Sequence, residues 1–175
     1  METIQLPVNE LQRERLMRID QEDFSGVRRK VREEMSERGI DASAEWLDEG
    51  ILALKQYYAV ALLDPLNKHA VSAVIDPFWH AHIMHTKEYV AFCAEVFEEF
   101  LHHEPLDRSD EPKLRFVHTL WKYTRGVYGR LFSYVHPDTY KQLADCTSET
   151  VCLHQMVSNR RLRACAVFEA VPACQ

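Results

Sequence analysis

The sequence predicts an all-α fold: a small bundle of about four main helices with a less regular C-terminal tail. Three observations predict it. Apolar residues recur at three- and four-residue steps in four separate stretches. The 7 prolines fall outside those stretches or at their first turns, and Gly39 stands between two of them. Only one short segment, Ala164 to Phe168, reads as a strand. With 175 residues, 46% of them hydrophobic, the chain has material for one core and too little for two comfortable ones. Residues 1–175 are therefore read as a single helical domain, with 146–175 as a cysteine-containing tail.

The first helix runs from Ser25, taken as its cap, to about Arg38, with Gly39 just past its end. Val27, Val31 and Met35, spaced by four, give it one narrow buried stripe. The second spans Ser43 to Leu63, where Trp46, Leu47, Ile51, Leu54, Tyr58 and Leu62 recur with helical spacing. Asp64-Pro65 ends it, because the residue before a proline is steered out of the helical region. A loop from Pro65 to Ile75 follows. Asp76-Pro77 then opens the third region, with Asp as cap and Pro in the first helical position. The fourth helix runs from Glu111 to about Ser133, with Leu114, Val117, Trp121 and Tyr128 on one face.

Composition excludes several classes. The net charge is -6 and no basic stripe carries interleaved aromatics, so nucleic acid is not an expected partner. No apolar run approaches the roughly 20 residues of a membrane span. The first ten residues lack the charged-then-apolar pattern of a secretory signal, which argues for a cytoplasmic protein with free thiols. The tail cysteines, Cys146, Cys152, Cys165 and Cys174, match none of the usual zinc spacings, so unpaired thiols are expected ahead of a thiolate zinc site completed by His154. No nucleophile elbow, phosphate-cradling loop or dinucleotide fingerprint is present.

The informative segment lies between Asp76 and Pro105. Of the 9 histidines, five (His80, His82, His85, His102, His103) fall within 24 of its residues, where an even spread would place about one. Imidazole is the commonest protein ligand for first-row transition ions, so such clustering points to a metal site. Asp76 lies one turn before His80, on the same helix face. Residues two apart on a helix point about 200° apart, so His80 and His82 cannot face one ion from a regular helix. One straight helix would also hold His80 and His102 about 33 Å apart. A shared site therefore requires a break, and Thr86 offers one as a fresh cap; Tyr89, Cys93, Val96 and Phe100 then line a second helix. The bland readings are equally concrete. Asp76 serves as an N-cap, His82 and His85 as bonded core histidines, His102-His103 as complements to a helix dipole, and Cys93 as core. His118, between Leu114 and Trp121, reads as a buried core histidine, and His136 as a reserve ligand.

The stretch Asp76-Pro77-Phe78-Trp79-His80-Ala81-His82, then Thr86 and Tyr89, then Cys93, then His102-His103-Glu104-Pro105, resembles the glycine-rich domain-containing protein-like family. Its core reads Asp-x-x-Trp-His-x-His, Thr-x-x-Tyr, Cys, His-His-x-Pro. The run Tyr57 to Pro65 resembles its lead-in helix. The likeness covers about 50 residues and implies that these are the important positions without naming a reaction. Glu98 stands where that family often has Gly, so the helix is expected to continue further here. Leu106-Asp107-Arg108 replaces an aromatic, Gly-containing stretch.

These observations predict a helical metal-binding protein, with a metal-dependent oxygenase, oxidase or hydrolase as its catalytic form. His80, His82, His102 and His103 are the expected ligands, with Asp76 as their carboxylate. Fe, Zn or Cu suits such nitrogen and oxygen donors. Trp79 and Tyr89 are expected to wall the pocket around the ion and a small-molecule or peptide substrate. The competing class is a non-catalytic interaction module with structural histidines, whose apolar groove takes a peptide or partner helix.

Overall fold

The computed structural model describes residues 4–107, 109–144 and 150–156, the side chains of 104–107 and 150–156 excepted. Among the described residues there are six helices and one small sheet, so the molecule is mainly helical, as the periodicity predicts.

Helix α1 (Glu10–Gln21) has no counterpart among the expected elements. A capping box starts it: Asn9 Oδ1 accepts from the Gln12 N–H (2.8 Å), and Gln12 Oε1 accepts from the Asn9 N–H (3.0 Å). Only Leu16 and Ile19 are buried on it, too thin a stripe to stand out as a helix in sequence. Helix α2 (Ser25–Glu37) buries Val27, Val31 and Met35 as expected, although Phe24 and not Ser25 occupies the cap position. Its end is a Schellman turn: Gly39 takes φ +73°, Gly39 N–H reaches Ser36 C=O and Ile40 N–H reaches Met35 C=O, both at 2.9 Å.

Helix α3 (Ala44–Leu63) begins at the Ser43 cap, whose hydroxyl accepts from the Trp46 N–H (3.1 Å). Every residue from Gln56 to Leu63 is buried, which makes its second half the central rod of the core. Helices α1 and α2 both pack on α3. The expected loop after Asp64 contains a two-residue strand, β1 (His69–Ala70).

The third region breaks near the expected point, into α4 (Asp76–Met84) and α5 (Thr86–Phe97). The hinge is His85, so Thr86 is the first helical residue and not the cap. The expected continuation through Glu98 to Leu101 does not occur. Glu98 takes φ 62°, the left-handed conformation that ends helices and favours glycine, and its carboxylate pairs with Arg15 of α1.

Beyond that turn lies β2 (Leu101–Asp107), followed by α6 (Glu111–Leu131), capped by Asp110. The three strands form an antiparallel sheet in the order β1-β3-β2, with β3 (Thr150–Met156) between the others. In register, His154 lies opposite both His69 and His103. The expected strand at Ala164 to Phe168, and Cys146, Cys165 and Cys174, lie outside the described residues, whereas Cys152 belongs to β3. Cys93 is a free thiol in the core.

Helix α6 is tied to the α3–β1 corner by a polar cluster. The Tyr123 hydroxyl donates to Asp64 Oδ2 (2.5 Å), and Asn67 Nδ2 donates to Asp64 Oδ1 (2.7 Å). Burial pushes the Asp64 carboxyl up, but hydrogen bonds from His69 first, then Tyr123 and Asn67, outweigh it and hold the group below its ordinary range. Among the described residues no helix is long and apolar enough to cross a membrane.

Candidate metal centre

Helix α4 is led in by a turn that Ser72 organises. The Ser72 hydroxyl accepts from the Ile75 N–H (3.2 Å), and its carbonyl accepts from the N–H groups of Ile75 (3.1 Å) and Asp76 (3.0 Å). The first helical position of α4 is Asp76 itself, and no side chain caps the residue before it. The Asp76 carboxylate is thus not the N-cap expected of it. Its Oδ1 is buried without a hydrogen-bond partner, in a residue only 8% exposed. A buried carboxylate oxygen left unsatisfied costs about 1–3 kcal/mol or more. Such an orphan requires explanation.

What faces it is a pair of imidazoles. His80, one turn along α4, and His103, from β2, each place Nε2 3.5 Å from Asp76 Oδ1. The two Nε2 atoms are 2.7 Å apart, so one N–H donates to the other ring. Asp76, His80 and His103 form the one set of three or more His, Cys, Asp or Glu groups among the described residues that could hold a metal ion. A point in the plane of those three atoms lies about 1.9 Å from each, given separations of 2.7, 3.5 and 3.5 Å. Zn–N and Zn–O bonds are about 2.0–2.2 Å. The His80 side chain is 40% exposed while that of His103 is 15% exposed, so the triangle is open to solvent on the His80 side. Burial, above all, pulls the His80 imidazole below its ordinary pKa; Asp76 opposes this, and His103 adds to it. The neutral imidazole is the ligating form.

Two of the four expected histidine ligands stand elsewhere. Helix α4 stays regular through Met84, so the hinge comes too late to turn His82 toward His80. His82 enters the core instead. Its Nδ1 bonds the Tyr58 hydroxyl (2.8 Å), and Phe24, Tyr89 and Phe92 surround its ring at 5.0–5.2 Å. His102 and His103 were expected near a helix end, but successive residues of a strand point to opposite faces. His103 joins the cluster, while exposed His102 lies against Phe100 at 4.8 Å.

His85 packs over Gly26, and His136 accepts from the Asp138 N–H; neither belongs to the set that could hold an ion. His118 is exposed, against the expectation of a core histidine, because the buried stripe of α6 runs through Val117, Leu120 and Thr124. Of the two expected pocket walls, Trp79 does meet the site, its ring 4.9 Å from that of His103. Tyr89 sits behind it, its hydroxyl accepting from Trp79 Nε1 (3.0 Å) and donating to the Leu101 carbonyl (2.6 Å). Sequence reasoning overlooked Ser72, whose signal was a serine three residues before Ile75 at the start of a helix.

No curated protein and no solved structure matches this chain. A family model does match it, over residues 14–123, a stretch that runs from α1 into α6 and includes Asp76, His80 and His103. That match overturns the resemblance drawn from the histidine motif, since the family it identifies is not the glycine-rich domain-containing one. The chain belongs to the UCP032817-like family.

Proposed function

We propose that this is a metal-binding protein whose ion is held by Asp76 Oδ1, His80 Nε2 and His103 Nε2. The single observation that carries the reading is the orphaned Asp76 oxygen, buried and aimed at two imidazole nitrogens. A cation there would satisfy a buried oxygen that otherwise accepts no hydrogen bond. Two nitrogens and one oxygen without thiolate suit Fe(II), Zn or Cu(II). Three protein ligands leave a coordination position free, the arrangement of catalytic sites rather than of closed structural ones. The His80 side of the triangle is the more exposed one, so a small molecule would reach a bound ion from there. There a bound water would be activated by zinc, or O2 by iron, giving a hydrolase or an oxygenase respectively.

Binding requires a small rearrangement. The proton now shared between the two Nε2 atoms must move to Nδ1 of its ring, and the rings must part by a few tenths of an ångström. Elemental analysis of purified protein tests the reading. The wild type is expected to retain roughly one first-row ion per chain, and the double substitution His80→Ala, His103→Ala to retain none. A wild type that holds no metal, and whose melting temperature does not rise when Zn, Fe(II) or Cu(II) is supplied, would overturn it and leave the interaction module.

A further inference from the structure

The ligands come from two elements, α4 and β2, that share no covalent constraint shorter than the whole of α5. Something must fix the distance between them, because a site loosened by a fraction of an ångström loses its ion. The Tyr89 hydroxyl is placed to do this. It lies on α5, fully buried, and bonds one partner on each ligand-bearing element: it accepts from Trp79 Nε1 on α4 and donates to the Leu101 carbonyl on β2. Trp79 immediately precedes His80, and its ring also lies against His103. Leu101 is two residues before His103 and therefore on the same strand face.

We propose that Tyr89 is a positioning residue for the metal centre, setting the separation of His80 and His103 through Trp79 and Leu101 without touching the ion. The inference rests on the metal-binding reading above and assigns Tyr89 a role distinct from the pocket wall expected from sequence. Both hydrogen bonds run through one oxygen, so a single atom couples the two ligand-bearing elements. Deleting that atom leaves the phenyl ring in its aromatic setting between His82 and Phe100, at 5.0 and 5.2 Å. The ring's share of the packing therefore survives while the tie is cut.

The test compares Tyr89→Phe with Tyr58→Phe, using Co(II) as the probe ion. Tyr58→Phe also removes one buried hydroxyl, but its partner is His82, outside the ligand triangle. Each variant loses stability from an unpaired buried group. Only Tyr89→Phe is expected to weaken Co(II) binding, by about 10–100-fold in titration calorimetry. Its cobalt absorption bands are expected to shift in position and intensity, which a general loss of stability would not cause. Equal affinity and spectrum in Tyr89→Phe and the wild type would overturn the proposal, as would an equal loss in Tyr58→Phe. The metal-free protein supplies an independent readout, the imidazole nitrogen resonances of His80 and His103. Tyr89→Phe is expected to move these while leaving that of His136 in place. Wild-type protein that takes up no Co(II) and does not respond to Zn, Fe(II) or Cu(II) would sink the metal reading alone. The brace would then stand on moved resonances, or fall on unmoved ones.

Discussion

The tip of the Phe78 ring occupies the space beside Gly50 where any other residue would carry a side chain. A Cβ at Gly50 would overlap Cζ and Cε2 of that ring, and even the farther Cε1 would be 2.8 Å away. This contact lets α4 approach the middle of α3, with Trp46 flanking the same ring at 5.3 Å. Glycine inside a helix costs up to about 1 kcal/mol relative to alanine, so Gly50→Ala on an open surface would stabilise. Here the sign reverses, because neither a helix backbone nor a fully buried ring yields easily. Gly50→Ala is expected to destabilise by about 3 kcal/mol, a fall in Tm of roughly 6–12 °C. Thermal unfolding checks it, and an unchanged or raised Tm would show that α4 can move away from α3.

Asp76 gives a prediction that separates ligand from scaffold. Its Oδ1 is buried and accepts no hydrogen bond, so that oxygen gives the metal-free fold no bond to set against its desolvation. Asp76→Asn keeps the shape, removes the charge and supplies an N–H2 that can donate to an imidazole. The variant is expected to match or exceed the metal-free wild type in stability, and to lose metal retention altogether. A structural aspartate would behave in the opposite way, with a large drop in Tm from a broken native bond. Elemental analysis and one melt on the same sample distinguish the two.

The parts of this architecture legible in sequence are those with local causes. Ser43 as a cap, Gly39 as a helix stop and the Asp64-Pro65 terminus each depend on residues within one or two turns, and each lies where its chemistry requires. The pairing of Asp76 with His80 is equally local, being a matter of helical phase. The rest depended on contacts distant in sequence. Leu101 to Asp107 contains two histidines and a proline and carries little strand signal; it is extended because β3, about 50 residues later, pairs with it. Without that pairing the alternation of His102 and His103 could not be foreseen, so both appeared as ligands. Glu98 was not legible: a residue other than glycine there was expected to let the helix continue, whereas Glu98 itself adopts the left-handed backbone while paired with Arg15.

Strand alternation yields a sharp contrast between adjacent histidines. His103 faces the Asp76 carboxylate and His102 faces solvent beside Phe100. His103→Ala is expected to abolish retention of the ion. His102→Ala is expected to leave metal content unchanged and to alter stability by less than about 0.5 kcal/mol, as surface substitutions do. Equal metal loss in the two variants would mean that the strand register around residue 102 differs in solution.

The last prediction concerns acid sensitivity and has its source in His82. Burial, above all, holds the His82 imidazole down to about 3, with the nearby His85 adding to the effect. The unfolded chain restores it to about 6.5. Between those two values the unfolded state binds a proton that the folded state refuses, so stability rises with pH across this window. The stabilisation is nearly complete at pH 7 and is lost progressively as pH falls toward 3. Between pH 7 and pH 5 this one group is expected to remove about 2 kcal/mol. Carboxylates also titrate as acid is added, so the contribution must be read as a difference. His82→Gln cannot titrate, and although it weakens packing around Tyr58, Phe24 and Phe92 at every pH, its stability should decline more slowly below pH 7. Urea unfolding of both proteins at several pH values measures the two slopes. Parallel slopes would mean that His82 is protonated at the same pH folded and unfolded, which its place in the aromatic core does not allow.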